Sequence, residues 1–161
     1  MAQIDWKGFT WKSAYGNLSV KELLTCLKGF GPLEVLEFRK PDLCHGLLSL
    51  SLSKEGEKEV ILYYLEAEGE RREGRGRKAL EMLKTIFKGR IHVEDPGLIP
   101  VENPDAVGML FWVRMFRAGI IDSLEAEGYT LSPGMAESGI VEVEERIRRR
   151  SERFRAGRDP R

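Results

Sequence analysis

Cysteine is scarce. Cys26 and Cys44 are the only two in 161 residues, too few for a disulfide framework. Net charge is also missing: 26 basic side chains balance 26 acidic ones, so no overall field draws the chain to nucleic acid or membrane. There is no long apolar run. The most apolar stretch, residues 106–121, is broken by Arg114 and Arg117, which argues against a membrane span. The opening Met1-Ala2-Gln3-Ile4-Asp5-Trp6 lacks the basic-then-apolar order of a signal peptide. No Gly-Lys-Ser/Thr occurs, which excludes a Walker loop. Cys44-His45 with distant His92 has no metal-ligand spacing, so no metal is expected. Cys26 reads as a small hydrophobe on a helix. The setting implied is reducing and cytoplasmic.

The length suits one domain that buries roughly 70% of its unfolded surface and needs no staples. Residues 1–139 read as that domain and 140–161 as a charged C-terminal helix or tail. The aromatics Trp6, Phe9, Trp11 and Tyr15 serve as core anchors in a first strand or a lid. Ser19 and Glu22 have capping-box spacing, and Leu23, Leu24 and Leu27 give the apolar face of the helix they open. Gly29 marks its stop, followed by a Gly31-Pro32 turn. Leu33 to Arg39 reads as a strand ended by Pro41. Leu48 to Ser53 alternates strictly, the pattern of a half-buried antiparallel strand. Lys54 to Glu57 turns the chain, and Val60 to Leu65 returns as a central strand.

The stretch Arg71-Arg72-Glu73-Gly74-Arg75-Gly76-Arg77-Lys78 follows that strand. Ala79, Leu80, Leu83, Ile86 and Phe87 then recur at helical spacing. Strand, glycine loop and helix start make a phosphate site by simple physics. The first backbone N–H groups of a helix lack partners, the dipole is positive there, and glycine lets a ligand approach closely. The helix runs to about Lys88 with Gly89 as C-cap. Arg90 to Glu94 alternates as a short strand, parallel to Val60–Leu65 because a helix joins the two. Asn103 N-caps a further helix with Pro104 at its first position. That helix is buried through Met109, Trp112 and Phe116, and Ile120 to Glu127 forms a second helical piece after Gly119. Leu65-Glu66-Ala67-Glu68-Gly69 recurs as residues 124–128, too short a match for an internal repeat. The tail fits either a strand at 140–143 or a helix; its acids-first, arginines-last order favours the helix, with the last few residues disordered.

Arg71-x-x-Gly74-x-Gly76, after a strand and before a helix, resembles the acyl-CoA signature of the GNAT superfamily of N-acyltransferases. The element order over about residues 18–118 is similar too. The resemblance implies an α/β (α+β) fold with a mixed, mostly antiparallel sheet flanked by helices. It implies acetyl-CoA or another acyl-CoA as co-substrate and an amine acceptor, either a small molecule or a protein N-terminus or lysine. The backbone N–H groups of residues 72–77, including Arg72, Glu73, Gly74, Arg75, Gly76 and Arg77, would cradle the pyrophosphate, with charge from Arg71, Arg72 and Arg77. Leu65 and Glu66 would meet the pantetheine where the strand splays from its neighbour, and Asn103 belongs to the same site. Glu66, Glu68 and Glu94 are candidate bases. Many members place a tyrosine proton donor in the helix after the fifth strand. Here that position holds Leu110, so the donor is Tyr64, Tyr129 or water, or the chain binds CoA without turnover.

Two other readings stay open. Gly74-Arg75-Gly76-Arg77-Lys78-Ala79 fits Gly-x-Gly-x-x-Ala, a dinucleotide fingerprint with Glu94 or Asp95 as its acid, although seven or more residues separate strand and first glycine. The Gly/Arg loop and the arginine-rich tail also suit nucleic acid, but nearby glutamates and zero net charge argue against that partner. A solubilising or subunit-contacting tail is the ordinary reading. The apolar helix around Trp112 permits a homodimer, and no membrane partner is expected.

Overall fold

The computed structural model describes residues 8–14, 16–67, 74–94, 106–126 and 128–157. The aromatic N-terminal stretch supplies two short strands, β1 (Thr10–Ser13) and β2 (Gly16–Leu18). Helix α1 (Val20–Phe30) starts where the capping box places it: Ser19 Oγ accepts from the Glu22 N–H, and Glu22 accepts from the Ser19 N–H. It does not stop at Gly29. It continues to Phe30, and Gly31 at φ 94° ends it, a backbone angle that glycine reaches without a Cβ penalty.

Strands β3 (Leu33–Lys40), β4 (Cys44–Leu52) and β5 (Lys58–Ala67) form the antiparallel meander. Helix α2 (Arg75–Phe87) follows, then β6 (Arg90–Glu94), parallel to β5 as expected. Lys88, at φ 50° and ψ 39°, takes the left-handed cap position that the sequence suggests for Gly89. Gly89 has another task, because a Cβ there would lie 2.1 Å from the Lys58 carbonyl oxygen. It lets the start of β6 close against β5.

Helix α3 (Ala106–Arg117) leads to β7 (Ser123–Ala126) and β8 (Tyr129–Leu131). The second helical piece expected at Ile120–Glu127 is therefore wrong. Gly119 turns the chain at φ 74°, Ile120 N–H bonds back to Met115 O, and Asp122 N–H bonds to Ile91 O. The last of these bonds enters the chain into parallel pairing with β6. Helix α4 (Glu137–Gly157) ends the described chain, so the helical reading of the tail holds. The division drawn at residue 140 falls inside α4, whose Ile140, Val143 and Ile147 are buried. The disorder expected of the last residues lies outside the described residues.

The eight strands form one sheet in the order β2-β1-β3-β4-β5-β6-β7-β8. It is mixed and mostly antiparallel, with parallel pairing only at β5–β6 and β6–β7. An unbroken series of cross-strand partners, Leu36–Leu48–Leu62–Val93–Leu124–Leu131, runs through the core, with the pair Trp11–Phe38 beside it. Buried residues of all four helices join the same core cluster: Leu23 and Leu27, Leu80 and Leu83, Trp112 and Val113, Val143 and Ile147. The described helices therefore cover one face of the sheet. The opposite face carries the alternate residues, among them His45, Leu47, Ser49, Ile61, His92 and Ser123, which are half-buried or exposed.

Gly46 sits at the centre of the packed face. A Cβ there would lie 2.1 Å from Tyr64 O and 2.6 Å from the Phe38 ring. Overpacking a tight site typically costs about 1–3 kcal/mol, and a clash with backbone falls at the upper end. Gly46→Ala should therefore destabilise the fold by about 3 kcal/mol, read as a fall in the urea midpoint. Partial recovery is expected in the Gly46→Ala/Phe38→Leu double variant, which removes the ring clash only. An unchanged midpoint for the single variant would refute the packing account.

Candidate active site

Strand β5 is irregular where it approaches the glycine loop. Leu48 pairs with Leu62, but Leu47 pairs with Tyr64, so Tyr63 is the extra residue of a β-bulge. The bulge brings the two tyrosines towards the same face. Tyr63 Oη lies 3.4 Å from Ser49 Oγ, which donates to Glu34 O. Tyr64 Oη donates to Glu66 Oε2. Pairing of β5 with β6 ends at Leu62–Val93. From Tyr63 to Ala67, among the described residues, β5 has only β4 beside it.

Glu66 faces His45 across the β4–β5 pair, with Nε2 to Oε2 at 3.1 Å. The His45 and Tyr64 rings are 5.8 Å apart. Carboxylate, phenol and imidazole thus share one corner of the open face. The carboxylate is accessible, at 56% exposure of its side chain. The Tyr64 phenol is pushed up to about 12, first by its hydrogen bond to Glu66, then by burial and by the charge of Glu66. A raised tyrosine stays protonated through the neutral range and keeps a proton to donate. Because its folded value exceeds the unfolded one, the associated stability is present below pH 10 and is lost as pH rises through about 12. Titration of ring-labelled Tyr64 by NMR should give a midpoint near 12 in the native chain. In Glu66→Gln it should fall towards the ordinary value of about 10. Equal midpoints would show that Glu66 is not the cause.

Beyond the strand, Gly74 at φ 64° and ψ 24° opens α2 without a side-chain cap. The first turn of α2 holds no acidic residue but contains Arg75, Arg77 and Lys78. Cations at a helix N-terminus oppose the dipole, so a bound anion would offset the positive charge gathered at this helix start. Among the described residues, nothing lies within 4 Å of a Cβ built on Gly74. Gly76 differs: its Cβ would meet the Phe111 ring at 3.0 Å, so this glycine lets α2 close on α3.

The named site residues divide as follows. Leu65 packs against the core, while Glu66 points to the open face beside His45. Arg75 Nη1 donates to Asp42 O at 2.6 Å, which ties its guanidinium to the β3–β4 turn. Arg77 pairs with Glu81 at 2.8 Å on an exposed face, a contact worth little. Glu68, Arg71, Arg72, Glu73 and Asn103 lie outside the described residues. Leu110 is half-buried against the core. Tyr129 is buried on the helix-covered face of β8, three strands from β5 and so about 14 Å away. Of the two named tyrosines, Tyr64 alone lies beside Glu66. Glu94 ends β6 and is exposed, next to Glu125 of β7. Sequence reasoning weighs His45 only as a metal ligand and passes over Gly46, because each acquires its place through the β4–β5 register.

Among the described residues, no group of three or more His, Cys, Asp or Glu could hold a metal. Cys26 and Cys44 are unbridged. No described helix is long and apolar enough to cross a membrane. No protein-family model, curated protein or solved structure matches this chain significantly.

Proposed function

We propose that the chain is an acyl-CoA-dependent N-acyltransferase whose site lies between the Tyr63 bulge and the first turn of α2. The observation that carries this reading is the behaviour of β5. It bulges at Tyr63, pairs with β6 only as far as Leu62, and precedes a glycine-opened, cation-rich helix N-terminus. The end of the strand then has backbone groups for pantetheine amides, and the helix start has N–H groups for a pyrophosphate. In this reading acetyl-CoA or another acyl-CoA is the co-substrate. Glu66 takes the proton from an attacking amine, and Tyr64 offers one to the departing thiolate. The amine attacks the thioester directly, and no covalent enzyme intermediate is needed. His45 holds the Glu66 carboxylate from its other side.

A second reading keeps some support. β5, α2 and β6 form a parallel unit, and Ala79 in the Gly-x-Gly-x-x-Ala run is fully buried, as close helix–sheet packing in a dinucleotide site requires. Against it, residues 68–73 separate β5 from Gly74, whereas the fingerprint wants strand and glycine nearly adjacent.

Calorimetric titration with acetyl-CoA, and with NADH in parallel, separates the two readings. Saturable binding of acetyl-CoA alone, followed by amine-dependent release of free thiol, is the expected result. Binding of NADH without CoA would transfer the loop to the dinucleotide reading and overturn the acyltransferase.

A further inference from the structure

Helix α4 presents Arg146, Arg149, Arg150 and Arg153 at the i, i+3, i+4, i+7 spacing that places four side chains on one helix face. With Tyr129 of the edge strand β8, they line an open groove of about 400 Å³. The Arg146 guanidinium lies over the Tyr129 ring, 5.4 Å from its centroid, a cation–π contact that seats one cation at the β8 end. The core stripe Ile140, Val143 and Ile147 divides the helix into two flanks. On the α3 flank, Glu137 and Glu144 take Arg117. On the β8 flank stand the arginines, with Glu145 as a carboxylate partner of Arg149 at 3.4 Å.

The charge distribution matches this division. Residues 146–161 carry eight arginines against Glu152 and Asp159, a local charge of +6. The chain totals zero, so residues 1–145 carry −6. There is no lysine in that C-terminal segment. Arginine's planar fork suits phosphate oxygens better than a point charge does. Arg146 to Arg153 spans about 10 Å along the helix, room for successive phosphates of one strand, and the groove between them is the size of a small ligand. With the rest of the chain net negative, the field favours approach of a polyanion at the basic stripe.

We propose that this face of α4, with Tyr129, binds the phosphodiester backbone of single-stranded nucleic acid. The sequence alone reads these arginines as a solubilising or subunit-contacting tail, with nucleic acid as the alternative; the folded chain gathers four of them into one lined groove. This inference is independent of the acyltransferase reading and stands or falls without it.

The test is fluorescence anisotropy of the full chain with a labelled single-stranded RNA of mixed sequence, over a range of salt concentrations. Native protein should bind saturably at about 50 mM salt, the low end of the range over which phosphate contacts are usually compared. The variant Arg146→Gln/Arg149→Gln/Arg150→Gln/Arg153→Gln keeps good helix formers at each position and should lose at least about tenfold in affinity. Its slope of log affinity against log salt should flatten by about 3, since each released phosphate contact contributes about 0.7. A variant with the same charge change elsewhere, Lys28→Gln/Lys54→Gln/Lys88→Gln/Arg90→Gln, should lose far less. Circular dichroism keeps an unfolded variant from counting as a loss of binding. Three results overturn the proposal: no saturable binding by the native chain, equal losses in the two quadruple variants, or polyglutamate competing as well as unlabelled RNA.

Discussion

Gly74→Asp should weaken acetyl-CoA binding about a hundredfold, whereas Gly74→Asn should leave it within a few-fold of native. Both side chains enter a backbone position at φ 64° and ψ 24°, and Asn and Asp are the non-glycine residues that tolerate it best. Each therefore accepts a similar strain of about 1 kcal/mol. Among the described residues, no heavy atom lies within 4 Å of the new Cβ, so neither meets a steric barrier from them. They differ by one negative charge at the mouth of a helix N-terminus. That charge favours the fold, because an acid there complements the dipole by about 0.3–1 kcal/mol. It opposes a pyrophosphate, since like charges about 4 Å apart in a partly screened site repel by several kcal/mol. Stability and affinity should thus move in opposite directions between the two variants. Thermal melting and calorimetry on the same preparations read both. Equal acetyl-CoA affinities in folded Asp and Asn variants would remove the loop from the cofactor site. Gly76 is unsuitable for this comparison, because any side chain there presses on Phe111 and disturbs the α2–α3 contact before it reaches a ligand.

Local chemistry explains which elements could be read from the chain. The Ser19–Glu22 box, the alternation in β4, the apolar run of β5 and the 3.6-residue period of α2 each declare themselves within a few residues. The parallel pairing of β6 follows from the helix that joins it to β5. The misread pieces depend on distant partners. Ile120 to Ala126 has spacing compatible with a helical turn, and so short a run cannot separate periods of two and 3.6. What makes Ser123–Ala126 a strand is β6 on one side and β8 on the other. Three-residue β8 is too short to announce itself at all. The same reason hides half of the candidate site. Tyr63 and Tyr64 read as part of a continuous apolar strand, and the bulge exists only in the register against Leu47 and Leu48. His45 meets Glu66 only once β4 and β5 are paired. The shared segment Leu-Glu-Ala ends β5 at residues 65–67 and ends β7 at 124–126. Both strands flank β6 in parallel, yet His45 stands opposite Glu66 and Thr130 opposite Glu125, so the surroundings differ although the tripeptide does not.

Glu66→Gln should lower acyl transfer by about a hundredfold, the lower end of what a positioned general base contributes. The KM for acyl-CoA should stay within a few-fold, because the substitution leaves intact the strand backbone that would meet pantetheine. Glutamine retains the side-chain volume, and Glu66 is exposed, so the fold should tolerate the change. The residual rate should rise steadily with pH. Without the carboxylate, solvent must deprotonate the amine, and a free amine is more abundant at higher pH. Tyr64→Phe gives the contrasting case. It removes the O–H that donates to Glu66 and the phenol offered to the thiolate, but it leaves the base. Its rate should fall less, about tenfold, with the pH dependence of the native chain retained. Steady-state rates against pH for the three proteins distinguish the roles. If Glu66→Gln lost no activity while Tyr64→Phe lost most, Glu66 would be a support for the phenol and the base would have to be sought elsewhere. If both variants turned over normally, the corner formed by His45, Tyr64 and Glu66 would belong to the sheet surface and not to the reaction.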